Sequence, residues 1–298
     1  MRFLIAGSSG FLGTRLREQL ESRGHEVTSL VRRPPNAGEV TWEPYSRALD
    51  PSVVDRHDVV VNLAGSPMLG NPYSKKWSQA LLESRVRTTR ALADAIAASE
   101  NKPAFLAGNG ISYYGDHGSE PLTEAADSRG AALLTRVAQA WQAATEPAAE
   151  AGVRVCVLRT APLFDRRMMP LQLLRVLFKA GLGGPLGSGQ QYVPMISARD
   201  WVDAAVHLAE NDGLEGPFNL CCAKTPTNAE FTRELARQVR RPAVLRVPAF
   251  ALRTVARDLG DLVLDSVNGV PAALLADGFR FQDPDVSAVL CEGLDPSH

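Results

Sequence analysis

The chain has 298 residues, 45% of them hydrophobic and 22% charged, the balance of an ordinary globular protein long enough to bury a core without staples. Lys plus Arg is 32 against 33 for Asp plus Glu, so no basic surplus marks a nucleic-acid binder. Cys156, Cys221, Cys222 and Cys291 lack metal-ligand spacing, no apolar run reaches the roughly 18 residues of a membrane span, and no leader pattern opens the chain; a cytoplasmic protein is expected.

In chain order, Phe3–Ala6 is a short apolar run followed at once by a glycine-rich turn. Phe11–Ser22 reads as a helix with Leu12, Leu16 and Leu20 on one face, Gly24 ends it, and Glu26–Val31 reads as a second strand. Strand, turn, helix and strand in this order form the βαβ unit of a parallel sheet. Val40–Trp42 is a short third strand, and the continuous apolar centre of Asp58–Asn62 suits a strand buried on both faces. Leu81–Ala98 reads as a long helix, Pro103–Ala107 and Arg154–Arg159 as strands, and Ala131–Ala149 as the helix between them. This alternation predicts an α/β doubly wound sheet. After Leu163 the pattern changes to apolar helices broken by glycine loops, with a strand at Pro217–Cys221 and a helix at Asn228–Val239. The expected organisation is a Rossmann-type domain over 1–163, rejoined by 195–222, and a smaller C-terminal substrate lobe from 164–194 and 223–298.

Gly7-Ser-Ser-Gly10-Phe11-Leu12-Gly13 is a GxxGxxG turn between a strand and a helix. Glycine lets the backbone approach a pyrophosphate, the helix N-terminus offers N–H groups, and Ser9 adds a hydroxyl. Dinucleotide proteins that prefer NAD carry an acid at the end of the second strand to bond the ribose 2′-OH. Here that strand ends Val31-Arg32-Arg33, and guanidinium groups suit a 2′-phosphate. NADP(H) is therefore the expected cofactor, with Arg32 the main contact and Arg33 beside it. Leu63-Ala64-Gly65 closes the next buried strand, where small residues leave room for a nucleotide at the carboxyl edge of the sheet.

These motifs resemble the extended or atypical short-chain dehydrogenase/reductases. Lys76-Trp77, Ser84-Arg85, Thr88-Thr89, Tyr113-Tyr114-Gly115, LRTAPLF at 158–164, GLGGPLGSGQQ at 181–191, TNAEFTRELA at 227–236, VPAF at 247–250 and GFRFQDPD at 278–285 narrow the resemblance to the epimerase family proteins. The resemblance covers nearly the whole chain. It implies a Rossmann domain, a small C-terminal lobe and a nicotinamide cofactor. It further implies cofactor contacts from Arg85 on the long helix and from Leu163 after a late strand.

The superfamily's usual Ser and YxxxK pair is missing. The residues four beyond the five tyrosines are Leu49, Trp77, His117, Gly118 and Ile196. Counted from the Trp141-Gln142 landmark, the Tyr and Lys positions fall near Leu134 and Ala138, and the Ser position near Gly110. Ser112, Tyr113 and Tyr114 follow a strand end, where chemistry occurs in this fold, and are the candidate catalytic residues. Asn109 could bond a nicotinamide amide, and His117 reads as a surface loop residue. Arg199-Asp200 reads as an ion pair or cap for a helix at Trp201–Glu210. Three functions stay open: an NADP(H)-dependent oxidoreductase on a small carbonyl or hydroxyl substrate, a nucleotide-sugar epimerase or dehydratase, and a non-catalytic NADPH-binding sensor. The expected partner is a small-molecule substrate, with neither nucleic acid nor membrane, and self-association stays open.

Overall fold

The computed structural model describes residues 1–68, 70–71, 73–245 and 264–295. The VPAF segment at 247–250 lies outside the described residues. Two compact units are present, the first comprising Met1–Asn109, Val137–Leu158 and Val202–Phe218, the second Gly110–Arg136, Arg159–Trp201 and Asn219–His298. Strands 104–110, 155–160 and 216–220 each run out of the first unit into the second.

The first unit opens with β1 (Arg2–Ala6), α1 (Phe11–Ser22), β2 (Glu26–Val31), β3 (Glu39–Thr41), α2 (Pro51–Val54), β4 (Val59–Asn62) and α3 (Lys75–Ala98). Then come β5 (Ala104–Gly110), β6 (Pro121–Leu122), α4 (Leu133–Ala143), α5 (Glu146–Glu150) and β7 (Val155–Thr160). The seven-stranded sheet has the order β3-β2-β1-β4-β5-β7-β8, with β8 at Gly216–Leu220. The pairings from β3 through β5 are parallel, with Phe3 opposite both Val27 and Val59. The doubly wound architecture read from the sequence is the one observed.

The core of this unit explains the pattern. Leu4, Val60, Phe105 and Val155 from the strands meet Leu92, Ile96 and Ala148 from α3 and α5. Each fully buried aliphatic chain contributes about 1.5–3 kcal/mol. The helix α3 starts six residues earlier than its apolar period suggests, because Ser74 caps it by accepting from the Trp77 N–H at 3.2 Å. The single helix expected over 131–149 is two helices: Pro147 occupies the first turn of α5, where it suits a helix start but cannot continue α4.

The second unit carries α6 (Met169–Lys179), the start of α7 (Ala198–Glu210), α8 (Asn228–Val239), β9 (Asn268–Gly269), α9 (Ala272–Ala276) and α10 (Val286–Leu294). The two-residue strands β6 and β9 pair in parallel. Its core joins Leu171 and Phe178 of α6, Phe231 and Leu235 of α8, and Val289 and Leu290 of α10 around Phe164 and Met195. Cys221 and Cys222 lie just past β8 and are both fully buried. Burial pushes the Cys222 thiol up to about 12, which leaves it inert.

Candidate functional site

The glycine turn is built for close backbone approach. Gly7 has φ +83°, and a Cβ there would sit 2.7 Å from the Leu63 carbonyl carbon. A Cβ on Gly13 would lie 2.2 Å from the Gly7 oxygen. Only glycine fits either position. Gly10 caps α1 with extended backbone and no side-chain bond, and no acid stands in the first turn. The Gly10 N–H donates to the Gly7 oxygen at 3.0 Å. Ser9 and Gly10 are exposed, while Phe11 and Leu12 are half-buried. The end of α1 thus keeps its positive dipole pole uncompensated, the condition for receiving an anion.

At the end of β2 the two arginines part company. The Arg33 guanidinium donates through both terminal nitrogens to the Glu39 carboxylate at 2.7 Å, and the Asn36 N–H donates to the same carboxylate at 2.7 Å. This pairing holds Glu39 below the usual carboxylate range. Arg33 is thereby committed to bracing its own loop. Arg32 is exposed and has no hydrogen-bond or ion-pair partner among the described residues. The sequence placed both at one site; the structure gives Glu39 to one and leaves the other available.

Past β4, Leu63 and Ala64 are half-buried and Gly65 is exposed. A buried polar network sets their position. Asn62 Nδ2–H donates to Thr89 Oγ1 at 2.9 Å, and its Oδ1 accepts the Ala64 N–H at 3.1 Å. Trp141 Nε1–H donates to the same Thr89 Oγ1 at 2.8 Å. Ser84 Oγ accepts the Ser66 N–H at 2.9 Å. Arg85 lies alongside, 7% exposed, donating to the carbonyls of Leu81 and Ser66 at 3.1 Å each. Its guanidinium carbon is 5.1 Å from the Trp141 ring centre, and a Cβ on Gly65 would come within 3.2 Å of it. No carboxylate among the described residues pairs with Arg85. Burial pushes it down to about 10, so it stays cationic at neutral pH, a buried positive charge lacking an anion.

The positions where the Tyr and Lys would stand are sealed. Leu134 and Ala138 are buried. Asn109 Nδ2–H donates to the Ala138 oxygen at 3.1 Å, turning that side chain onto α4. In the second unit, Ser112 Oγ–H donates to the Leu134 oxygen at 3.4 Å.

Tyr114 is fully buried, and its hydroxyl is a node: Arg159 Nη1 donates to it at 2.8 Å, and Asn219 Oδ1 lies 2.7 Å away. Burial raises its pKa, partly opposed by the Arg159 charge and hydrogen bond. Tyr113 is half-buried, with the Arg159 guanidinium carbon 3.7 Å from its ring centre. Its backbone oxygen accepts from Ser128, and its hydroxyl has no partner among the described residues. Arg159 and Asn219 were not legible as site residues: both sit on strands whose pattern signals core.

Elsewhere in this unit Leu163 is half-buried and bridges to Ile196. His117 is buried, not a surface residue; its Nε2 contacts the Tyr114 oxygen at 3.1 Å. Arg199 does not pair with Asp200. It reaches Asp283 at 2.6 Å, while the Asp200 carboxylate accepts the N–H groups of Gln282 and Asp283 at 2.8 Å each. Asp200 thus anchors the QDPD segment at 282–285, and burial pushes it up to about 6. Phe279 and Phe281 are half-buried and stack edge to face on each other at 4.9 Å, rather than entering the core.

Fold and glycine turn together define a dinucleotide-type α/β protein. Residues 3–221 match the NAD dependent epimerase/dehydratase family, and 247–292 match a domain of unknown function, DUF1731. The chain belongs to the NAD dependent epimerase/dehydratase family. An epimerase family protein of Mycobacterium leprae is 35% identical over 96% of this chain and 93% of its own length. The crystal structure of the human epimerase family protein SDR39U1 with NADPH is similar at a TM-score of 0.85 and 29% identity, covering 98% of this chain and 99% of that one. A nucleoside-diphosphate sugar epimerase from Corynebacterium glutamicum is similar at a TM-score of 0.82 and 32% identity, over 99% of this chain and 58% of that chain.

Proposed function

We propose that the chain is an NADP(H)-dependent oxidoreductase acting on a small carbonyl or hydroxyl substrate. The observation that carries this reading is Arg32, an exposed guanidinium without a protein partner at the end of β2, where an NAD protein would carry an acid. The Gly7–Gly13 turn and the start of α1 suit the pyrophosphate, and Leu63, Ala64 and Gly65 leave space for a ribose. The buried charge of Arg85 calls for an anionic group nearby. The NADPH in the structure of human SDR39U1 supports the same cofactor here. When bound, the cofactor supplies or takes up the hydride.

For the proton, Tyr113 is favoured over Tyr114, because the Tyr114 hydroxyl is committed to Arg159 and Asn219. Ser112 is tied to the Leu134 carbonyl. The test is a panel of small aldehydes, ketones and sugar nucleotides, followed by the loss of NADPH absorbance, with wild type and Tyr113→Phe side by side. Turnover that falls at least tenfold in the variant supports the reading. Turnover unaffected by the substitution removes Tyr113 as donor.

A second reading, a non-catalytic NADPH-binding protein, is favoured by one observation: Leu134 and Ala138 fill the positions of the usual Tyr and Lys. Tight NADPH binding with no turnover on any member of the panel would support it. The epimerase reading needs a strong base, and the residues offer none at those positions.

A further inference from the structure

Arg159 sits on β7, 2% exposed, between two adjacent tyrosines of unlike role. Its guanidinium carbon lies 3.7 Å from the Tyr113 ring centre and 5.0 Å from that of Tyr114. Nη1 donates to the Tyr114 hydroxyl at 2.8 Å and to the Glu124 backbone oxygen at 3.1 Å. Both acceptors are themselves fixed. The Tyr114 hydroxyl lies 2.7 Å from Asn219 Oδ1, and the Glu124 carboxylate accepts the N–H groups of Asn219 and Ala273 at 3.1 and 3.2 Å. The guanidinium is thus held in place from several sides within the second unit.

Tyr113 lies against that plate. Its carbonyl, at the end of the short 3-10 turn Ile111–Tyr113, accepts from Ser128 Oγ. The Tyr114 ring stands edge-on to its ring, at 87° and 5.6 Å between centres. Backbone and ring are therefore held, while the hydroxyl has no partner among the described residues. A proton donor needs this combination of a fixed ring and an uncommitted O–H. We propose that Arg159 is the positioning residue for Tyr113, fixing the ring so that its hydroxyl meets a substrate oxygen; this rests on the oxidoreductase reading above. Arginine suits the role because a planar guanidinium stacks on an aromatic face and donates in its own plane at once, whereas a lysine is a point charge. When the Tyr113 O–H bond breaks, its proton passes to the substrate oxygen. The negative charge left on the phenol then lies beside a buried cation, and a proton from water restores the hydroxyl. Tyr114 takes no part in the transfer; its hydroxyl orients Arg159.

The test places 3-fluorotyrosine at position 113 of the full chain and reads its fluorine NMR resonance, with turnover of the substrate panel followed beside it. The folded-chain resonance should be displaced from that of the urea-unfolded chain, because a cation lies over the ring. Arg159→Met and Arg159→Lys should each remove at least half of the displacement, and Tyr114→Phe should keep it. The lysine keeps the charge and a donor for Tyr114, so it serves where the methionine chain does not fold. In turnover, R159K should lower kcat at least tenfold with KM within about twofold, and lower it no further in a Tyr113→Phe background. A folded-chain resonance at the unfolded position, one that R159M and R159K leave where it is, or an equal loss of kcat in both backgrounds overturns the proposal. No turnover by any chain removes the oxidoreductase reading instead, and the fluorine displacement still decides whether Arg159 holds the ring.

Discussion

Arg33 and Glu39 clasp each other through two 2.7 Å hydrogen bonds, and the clasp separates the roles of two adjacent arginines. Arg33 shapes the loop after β2, and Arg32 has no partner among the described residues, which is why the proposed 2′-phosphate contact is given to it. Substituting Arg33→Ala should therefore leave the preference between NADPH and NADH within about twofold of wild type. Isothermal titration with each nucleotide measures it. A collapse of the preference in R33A would move the phosphate contact from Arg32 to Arg33.

Thr89 is the hub beneath the β4 end, because its hydroxyl oxygen accepts from both Asn62 and Trp141. Thr89→Val keeps the shape, strands the Trp141 N–H and leaves Asn62 Nδ2–H only the longer bond to Thr88 Oγ1 at 3.4 Å. Leaving buried donors unpaired costs about 1–3 kcal/mol each, so the urea midpoint should fall clearly and NADPH binding should weaken with it. An unchanged midpoint would show that the network does not set the position of Leu63 and Ala64.

Arg85 should trade stability for binding. Its burial without a carboxylate disfavours the charged form. Replacing a poorly compensated buried charge by an apolar chain of similar length is often neutral or stabilising. Arg85→Met is expected to melt at or above the wild-type temperature without nucleotide, while its NADPH dissociation constant rises more than tenfold. Lower thermal stability with unchanged affinity would make Arg85 a structural residue alone.

Asp200 gives a pH signature with a definite sign. Its folded-state pKa, about 6, lies above the ordinary 3.8. The contribution is fully present below the unfolded value and is lost as pH rises through 6. Between pH 4 and 7 this amounts to about 2–3 kcal/mol at most. Guanidinium unfolding at several pH values should show the wild type losing stability relative to Asp200→Asn across that window. Parallel curves would mean that Asp200 titrates normally.

Tyr114 and Tyr113 should differ in what their hydroxyls do. Tyr114→Phe removes the oxygen that receives the Arg159 N–H, so stability should drop by about 1–3 kcal/mol. Tyr113→Phe removes a hydroxyl without a protein partner and should unfold like wild type. The reverse order in thermal melts would contradict the geometry.

These parts of the fold were legible because their signals are local. Gly7, Gly10 and Gly13 fix the turn, and α1, β2 and α8 fall on the residues their periodicity marks. The start of α3 was hidden because Lys75, Lys76 and Trp77 carry no apolar period, and only the Ser74 cap marks it. The break at Thr145–Pro147 was masked by an alanine-rich run that favours helix on either side. What the sequence could not reveal are the long-range polar pairings. Arg159 reads as one more residue of a buried strand, and its contacts with Tyr113 and Tyr114 come from 45 or so positions away. Asp200 finds its partners more than 80 residues on. Arg32 and Arg33 look alike in sequence, and only the approach of β3 with Glu39 tells them apart.

The most direct test is a fluorescence titration of NADPH and NADH into wild type and Arg32→Ala. The account predicts that NADPH binds at least tenfold more tightly than NADH, and that R32A erases the difference by weakening NADPH while leaving NADH unchanged. Equal affinities in the wild type, or a preference that survives R32A, would contradict the assignment of Arg32 to the 2′-phosphate.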